Sequence, residues 1–340
     1  MYPRSQLMNS NLQKISILLL VMGLFGCVKP VEVVKSPVSV GPGEQLLAAG
    51  VQSFTIGDYT AAMQYFKGAL AVGRGVDDDR GVVLAEVNMA ETALGMGDLS
   101  QVRNHLLEAQ RLVEQRGVEG FASRLEMISA NLAIREGRGD VGISILAPYL
   151  TNTNGLHGNN DYSDEYRLAA LISRTELAFT DDDEENDQYW VALYRQVFAD
   201  SAISNISYKA RLLRFEARLA HLAQKRMERD KFLAQAMKIY REGLTRPGLA
   251  ALLVEWGRYL AEDEDRNGAR DLFDRAFFVR VQMRDRYGCE QVLSLLEALD
   301  AADGEDVGPR LEETRRWRAV VNGNNPKMWG GLVEKRNPVR

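Results

Sequence analysis

Apolar residues recur at helical spacing along most of the chain. They return every third or fourth position in residues 44–150 and in most of residues 164–322, and no segment alternates apolar and polar residues for long enough to predict a strand. Glycine, proline, asparagine and aspartate separate these segments, as expected where one helix ends and another begins. The pattern therefore predicts an all-α protein.

The stretch Ala48–Ala69 shows what such a segment contains. Gly50 is small enough to let a second helix approach closely, and Gly57-Asp58 predicts the end of one helix and the cap of the next. The second helix then carries its apolar residues on one face, at Ala62, Phe66 and Ala69. The stretch therefore predicts a pair of helices joined by a tight turn.

The same spacing returns in three further stretches. Ala90 and Gly97-Asp98 repeat the pattern at an offset of 40 residues. In a third copy Gly139-Asp140 is the predicted turn, with the distance from helix to turn shorter by one residue, and a fourth copy includes Gly257. The predicted packing positions of these copies are Gly50, Ala62, Phe66, Ala90, Gly257, Ala269 and Phe273.

These copies resemble the tetratricopeptide repeat (TPR), a helix pair of about 34 residues. The resemblance implies a right-handed α-solenoid in which the first helix of each pair lines a concave groove that holds a peptide or helix of a partner. On the positions of this repeat, the groove comprises Leu47, Val51, Phe54, Val87, Glu91 and Leu94. Because five of these six are apolar, we expect either a partner or the chain's own tether or tail to cover them.

The first residues are typical of a targeting segment. Ile15–Phe25 is an uncharged apolar run of 11 residues, shorter than the roughly 20 residues of a membrane-spanning helix. It ends in Leu24-Phe25-Gly26-Cys27, which resembles a bacterial lipobox. The resemblance implies that residues 1–26 are removed as a lipoprotein signal peptide and that Cys27 carries acyl chains such as palmitate. An ordinary signal peptide with an incidental cysteine is the alternative.

The residue after Cys27 bears on the destination of such a lipoprotein. It is Val28 rather than an aspartate, which in a Gram-negative cell resembles the signal for passage to the outer membrane. The resemblance therefore implies a chain anchored by lipid at the periplasmic face of that membrane.

The rest of the chain divides by composition. Residues 27–43 contain three prolines and predict an extended tether after the lipidated cysteine. Repeats one to three occupy residues 44–150, and the Asn- and Gly-rich stretch 151–163 is a candidate loop or hinge between two halves. Further helical repeats and a capping helix occupy residues 164–322, where Pro247-Gly248 predicts the end of a helix, and 323–340 is the predicted tail.

Charge and composition narrow the classes of partner. The formal net charge of the 340-residue chain is −5, so it lacks the basic excess with which proteins bind nucleic acid. We therefore expect no nucleic-acid partner.

Motifs for chemistry are weak. Gly137–Gly142 matches the G-x-G-x-x-G fingerprint but follows a predicted helix rather than a strand, so we interpret it as a repeat turn and expect no cofactor. The acidic run Asp181–Asp187 lacks the glycine and glutamate of a calcium loop and predicts a solvated connection. No metal site is expected, because the histidines lack metal-ligand spacing: His105, His157 and His221.

Cys289 is the second cysteine of the chain. A small, buried apolar side chain is the predicted role, with a reactive or intermolecular thiol as the alternative.

The resemblance favours an adapter or scaffold that binds protein partners of an envelope assembly, secretion, cell-wall or polysaccharide machine. We expect no enzymatic activity and no small-molecule substrate. The alternative is a periplasmic hydrolase with a site built from loops, for which the sequence offers no recognisable acid, base and nucleophile.

The lipid anchor can be tested by replacing Cys27 with alanine. Because two or more acyl chains hold a protein durably on a membrane, Cys27→Ala should leave an unprocessed or soluble protein, measured by membrane fractionation and intact mass. A variant that still fractionates with the outer membrane at the wild-type mass would contradict the anchor.

Overall fold

The computed structural model describes residues 41–150, 164–179, 184–201, 203, 205–303 and 308–323. Within these ranges the chain forms fourteen helices and no strand, which confirms the all-α prediction. The helices are α1 Pro42–Thr55, α2 Tyr59–Gly75, α3 Asp79–Met96, α4 Leu99–Arg116, α5 Ala122–Arg135, α6 Gly139–Leu150, α7 Asp164–Ala178, α8 Glu184–Asp200, α9 Ile206–Leu222, α10 Arg226–Glu242, α11 Arg246–Glu262, α12 Arg266–Met283, α13 Arg286–Asp303 and α14 Gly308–Asn322.

Several predictions fall outside the described residues. The signal peptide, Cys27, most of the tether, the loop 151–163 and the tail beyond residue 323 belong to this group. None of the described helices is both long and apolar enough to cross a membrane.

Three predicted boundaries differ from the structure. The acidic run Asp181–Asp187, predicted as a solvated connection, is helical from Glu184, and Asp187 is buried. Helix α1 begins at Pro42, so the end of the predicted tether is helical. Pro247 lies in the first turn of α11 rather than at the end of the preceding helix. A proline is tolerated at that place because the first amides of a helix have no partner within it.

Aspartates begin many of the helices. In each case a side-chain oxygen accepts a hydrogen bond, 2.8–3.1 Å long, from the amide three residues later. This contact satisfies one of the free amides at the helix start and is worth about 1 kcal/mol. The capping residues are Asp58, Asp78, Asp98, Asp265 and Asp285.

The helices pack as seven consecutive pairs, and we call the first helix of each pair A and the second B. Each helix contacts the next one along the chain. The A helices also contact one another, α1 with α3, α3 with α5, α5 with α7 and α9 with α11, whereas the described parts of successive B helices lack contacts of this extent. The array therefore curves with the A helices inside, and their surface is here called the inner face.

The turn between A and B repeats at intervals of 40 residues. Gly57, Gly97 and Gly137 each have φ between 72° and 79°, in the left-handed region that glycine adopts without strain. The prediction that Gly139-Asp140 forms the third turn is wrong, because Gly139 is the first residue of α6. The third pair keeps the full period, and no residue is lost from it.

Later pairs keep the period without glycine. Gln224 and Glu264, also 40 residues apart, occupy the A-to-B turns at positive φ. The B-to-A turns also contain a residue at positive φ, and these residues are again 40 apart within each half. They are Asp77 and Gly117 in the first half and Leu244 and Arg284 in the second. A left-handed conformation costs a non-glycine residue about 1–2 kcal/mol, so packing on both sides must hold these turns in place.

The predicted packing positions are buried where pairs meet. Gly50 faces the Phe66 ring, and Gly257 faces the Phe273 ring in the same way 207 residues later. Ala62, Ala90 and Ala269 have no exposed surface, and Phe66 and Phe273 are buried. The same glycine–phenylalanine contact thus joins A and B in pairs one and six.

Three apolar clusters follow each other along the array. The first runs from α1 to α5, the second from α5 to α9, and the third from α9 to α14. Helices α5 and α9 contribute to two clusters each, because one face of each helix packs against the preceding pair and another face packs against the following pair. The apolar core is therefore continuous along the array.

The A-to-B turns form one edge of the array and the B-to-A turns form the other, and these two edges meet. The backbone at Gly57 packs against Pro247 and Met283, and that at Gly97 packs against Tyr287. A-to-B turns of the first two pairs thus lie on the starts of α11 and α13 and on the end of α12. The array completes one coil, and its successive edges touch.

The glycine–phenylalanine contact can be tested with alanine. A methyl group added at Gly50 or Gly257 would lie 2.3 or 2.5 Å from a ring carbon of Phe66 or Phe273. Gly50→Ala and Gly257→Ala should each lower the free energy of unfolding by about 1–3 kcal/mol, measured by chemical denaturation. Gly75→Ala is the control, since a methyl group there meets nothing within 4 Å. Equal stability of all three variants would contradict the packing role.

Candidate functional site

The predicted groove residues differ in exposure. Val51 is 49% exposed. Leu47, Phe54 and Leu94 are half-buried and pack against the first apolar cluster. Val87 is fully buried, so it contributes packing and no binding surface. The six residues therefore do not form a contiguous exposed apolar strip, and binding of a partner through the others stays a prediction.

Glu91, the polar member of the predicted groove, is tied to the next pair. The Arg124 guanidinium of α5 donates to both its carboxylate oxygens, at 2.6 and 3.1 Å, and to the Asn88 side chain at 2.8 Å. One pair further on, Ser173 of α7 donates to Asn131 of α5 at 3.1 Å. Polar contacts thus connect successive A helices.

The densest of these contacts lie in pairs four to six. Arg211, Arg214 and Arg218 follow one another at i, i+3 and i+7, which places them on one face of α9. This face lies between Glu176 of α7 and Glu255 of α11. We call these five residues the arginine–glutamate cluster.

Each carboxylate of the cluster bridges two or more arginines. Glu176 lies 2.7 Å from Arg218 Nη2 and 3.5 Å from Arg211 Nη1. Glu255 lies 2.8 Å from Arg214 Nε, also contacts Arg218, and accepts a hydrogen bond of 3.0 Å from the Tyr259 hydroxyl. The cluster therefore joins three A helices through charge-assisted hydrogen bonds.

The arginines of the cluster lower the pKa of both of its carboxylates. Desolvation opposes ionisation of Glu176, but Arg218, Arg214 and Arg211 outweigh it and lower its pKa to about 2. The same balance, with Arg218 and Arg214 as the cations, lowers the pKa of Glu255. Both carboxylates are thus ionised near neutral pH. A carboxylate with so low a pKa is a poor general base, so the cluster suits a structural or binding role better than proton transfer.

A second polar group continues from the cluster to α10. The His221 ring lies 4.1 Å from the Tyr259 ring, and its Nε2 atom is 2.6 Å from Glu262. Arg229 is buried and donates to Asp263 at 2.8 Å. In the repeat register Arg229 occupies the place of Ala62 and Ala269, so a buried cation stands where pairs one and six have a methyl group.

The other candidate residues for chemistry lie apart. His105 pairs with the buried Glu86 at 2.7 Å, and His157 lies outside the described residues. No group of three or more potential metal ligands occurs in the described part of the chain. Cys289 is free and buried in the third apolar cluster, as predicted, and burial raises the pKa of its thiol.

Sequence reasoning missed the arginine–glutamate cluster. Its signal was present, since three arginines on one helical face require acidic neighbours if that face is buried. The acids lie in other pairs, however, and their alignment with α9 depends on the register of pairs four to six. The non-glycine turn at Gln224 hid the register of pair five.

Comparison of the chain with protein-family models and with curated proteins finds no match.

The arginine–glutamate cluster predicts a large effect of Glu255. Removing this carboxylate leaves the buried Arg214 and the mostly buried Arg218 without half of their compensating charge. We expect Glu255→Ala to lower the free energy of unfolding by about 3–5 kcal/mol, measured by chemical denaturation at pH 7.

The control is Glu216→Ala on α9, the helix that carries Arg214 and Arg218. Glu216 pairs with Arg195, whose side chain is half-exposed, so its loss should cost about 0–1 kcal/mol. If Glu255→Ala were no more costly than Glu216→Ala, the cluster would not hold the A helices together.

Proposed function

We propose that the protein is a lipid-anchored adapter of the bacterial cell envelope, which binds a protein or peptide partner on its inner face. The observation that carries the proposal is the array of seven helix pairs with its A helices inside. Such arrays present an extended surface on which partners dock. The lipobox-like Leu24-Phe25-Gly26-Cys27 supports the anchor, and outer-membrane placement rests on Val28 in a Gram-negative cell.

Exposed side chains of the A helices are the proposed contacts. Val51 and Arg258 are both exposed and both lie six residues before the A-to-B turn residue, Gly57 in pair one and Glu264 in pair six. The inner face therefore offers an apolar contact near its start and a cationic contact near its end. A segment of a partner with complementary side chains can use both.

The test is co-purification from detergent-solubilised envelope, with tagged full-length protein and identification of captured proteins by mass spectrometry. Val51→Glu and Arg258→Glu should each reduce recovery of the partner that the wild type captures, without a change in unfolding midpoint. Phe54 and Leu94 are unsuitable for this purpose because they also pack against the core.

The matched control is Leu107→Glu, which alters an exposed apolar residue on the B helix α4. This variant should retain the partner. Loss of the partner in Leu107→Glu but not in the inner-face variants would place the binding surface on the B helices and contradict the proposal.

A further inference from the structure

Among the described buried apolar side chains larger than alanine, two lie outside all three apolar clusters. Tyr59 begins α2 and Met283 ends α12, and both are buried, yet neither belongs to a cluster that follows the array. Met283 is covered by the turn at Gly57. Burial and the Asp285 carboxylate raise the pKa of Tyr59, so its hydroxyl also lies near the far edge. Contact between the two edges thus covers Met283, whereas the Tyr59 ring packs against Gly95 and Phe54 of the first two pairs.

The same contact includes Tyr287 and Arg135. The Tyr287 Cβ atom packs against Gly97, and the Arg135 guanidinium lies 5.6 Å from the centre of the Tyr287 ring. Such a cation–π contact is weak at an exposed site, and the Tyr287 side chain stays nearly half exposed. The contact between the edges is thus made by turn residues and single side chains.

This contact is much smaller than the interfaces between consecutive helices. Those interfaces run along whole helices and build the three clusters. The first cluster ends in α5 and the third begins in α9, so no cluster crosses from one edge to the other. Regions with few buried apolar contacts open locally at a lower free energy than the core.

We propose that the contact of Gly57 and Gly97 with Pro247, Met283 and Tyr287 is a clasp, which opens as a unit while the helix pairs on both sides stay folded. When closed, it holds successive edges of the coil together; when open, it lets the coil widen and exposes the inner face. The inference that a partner enters through this opening rests on the proposed function, whereas the inference that the clasp opens does not.

Methionine oxidation distinguishes opening of the clasp from unfolding. Hydrogen peroxide oxidises a methionine at a rate that follows its exposure. Met283, 2% exposed, reports on the clasp; Met89, 1% exposed and in the first cluster, reports on the core; Met227, 90% exposed, gives the rate of a free side chain. The rates are measured by mass spectrometry of peptides from the full-length protein in detergent, with no partner present.

In the wild type we expect Met283 to oxidise about tenfold faster than Met89 despite its equal burial. Tyr287→Ala removes a clasp side chain without a cavity in the core, and should raise the rate at Met283 alone. The matched control is Tyr189→Ala, which removes an exposed tyrosine of α8 and should leave both rates unchanged.

A second pair of variants tests the same clasp through its glycines. Gly97 and Gly137 lie in equivalent turns at φ 72° and 78°, so an added methyl group strains the backbone equally. At Gly97 that methyl group would also lie 2.3 Å from Tyr287 Cβ, whereas at Gly137 it meets nothing within 4 Å. Gly97→Ala should therefore increase oxidation of Met283 about tenfold over Gly137→Ala.

Two outcomes would overturn the proposal. If Met283 and Met89 oxidise at the same rate in the wild type and in every variant, Met283 is exposed only by unfolding of the core. If Tyr287→Ala and Gly97→Ala raise both rates together, the contact belongs to the core and does not open separately. Because no partner takes part, either result leaves the adapter proposal to its own test.

Discussion

A single helix pair of this chain cannot bury its own apolar residues, and this constraint shapes everything else. Each A helix needs its own B helix on one side and the preceding B helix on the other, as α5 and α9 show by contributing to two clusters. Stability is therefore shared between neighbours rather than contained in any one pair. The close contact of Gly50 with Phe66 meets this need at the level of side-chain size: one residue must be small because the facing one is large.

Pairs four to six meet the same constraint differently. Between α7, α9 and α11, buried ion pairs replace part of the apolar contact. Such pairs add little net stability compared with apolar residues of the same shape, but losing one partner is costly because the remaining charge is buried without compensation. The arginine–glutamate cluster thus favours a single register of α9 between its neighbours, in the part of the chain where the turns lack glycine. Charge pairing and turn geometry act together there.

Sequence patterns revealed the features that depend on the size and polarity of neighbouring residues. The contacts of Gly50, Phe66, Gly257 and Phe273 were predictable because small and aromatic residues at fixed spacing have few other uses in a helix. The third turn was misplaced because Gly137 and Gly139 both suit a turn, and Asp140 resembles a cap. The non-glycine turns at Leu244 and Arg284 leave no local signal, since only packing holds them at positive φ. Contact between Gly97 and Tyr287 depends on the rotation summed over several pairs, which no local pattern records.

That last contact also limits how the array can change in length. The residue that faces Gly57 depends on how many pairs lie between the two edges. Duplication or deletion of one 40-residue unit would shift the meeting point by a whole pair. The turn at Gly57 would then face a different helix end in place of Pro247 and Met283. The contact between the edges therefore depends on the number of helix pairs. An open array of the same units has no such contact to lose when a pair is added or removed.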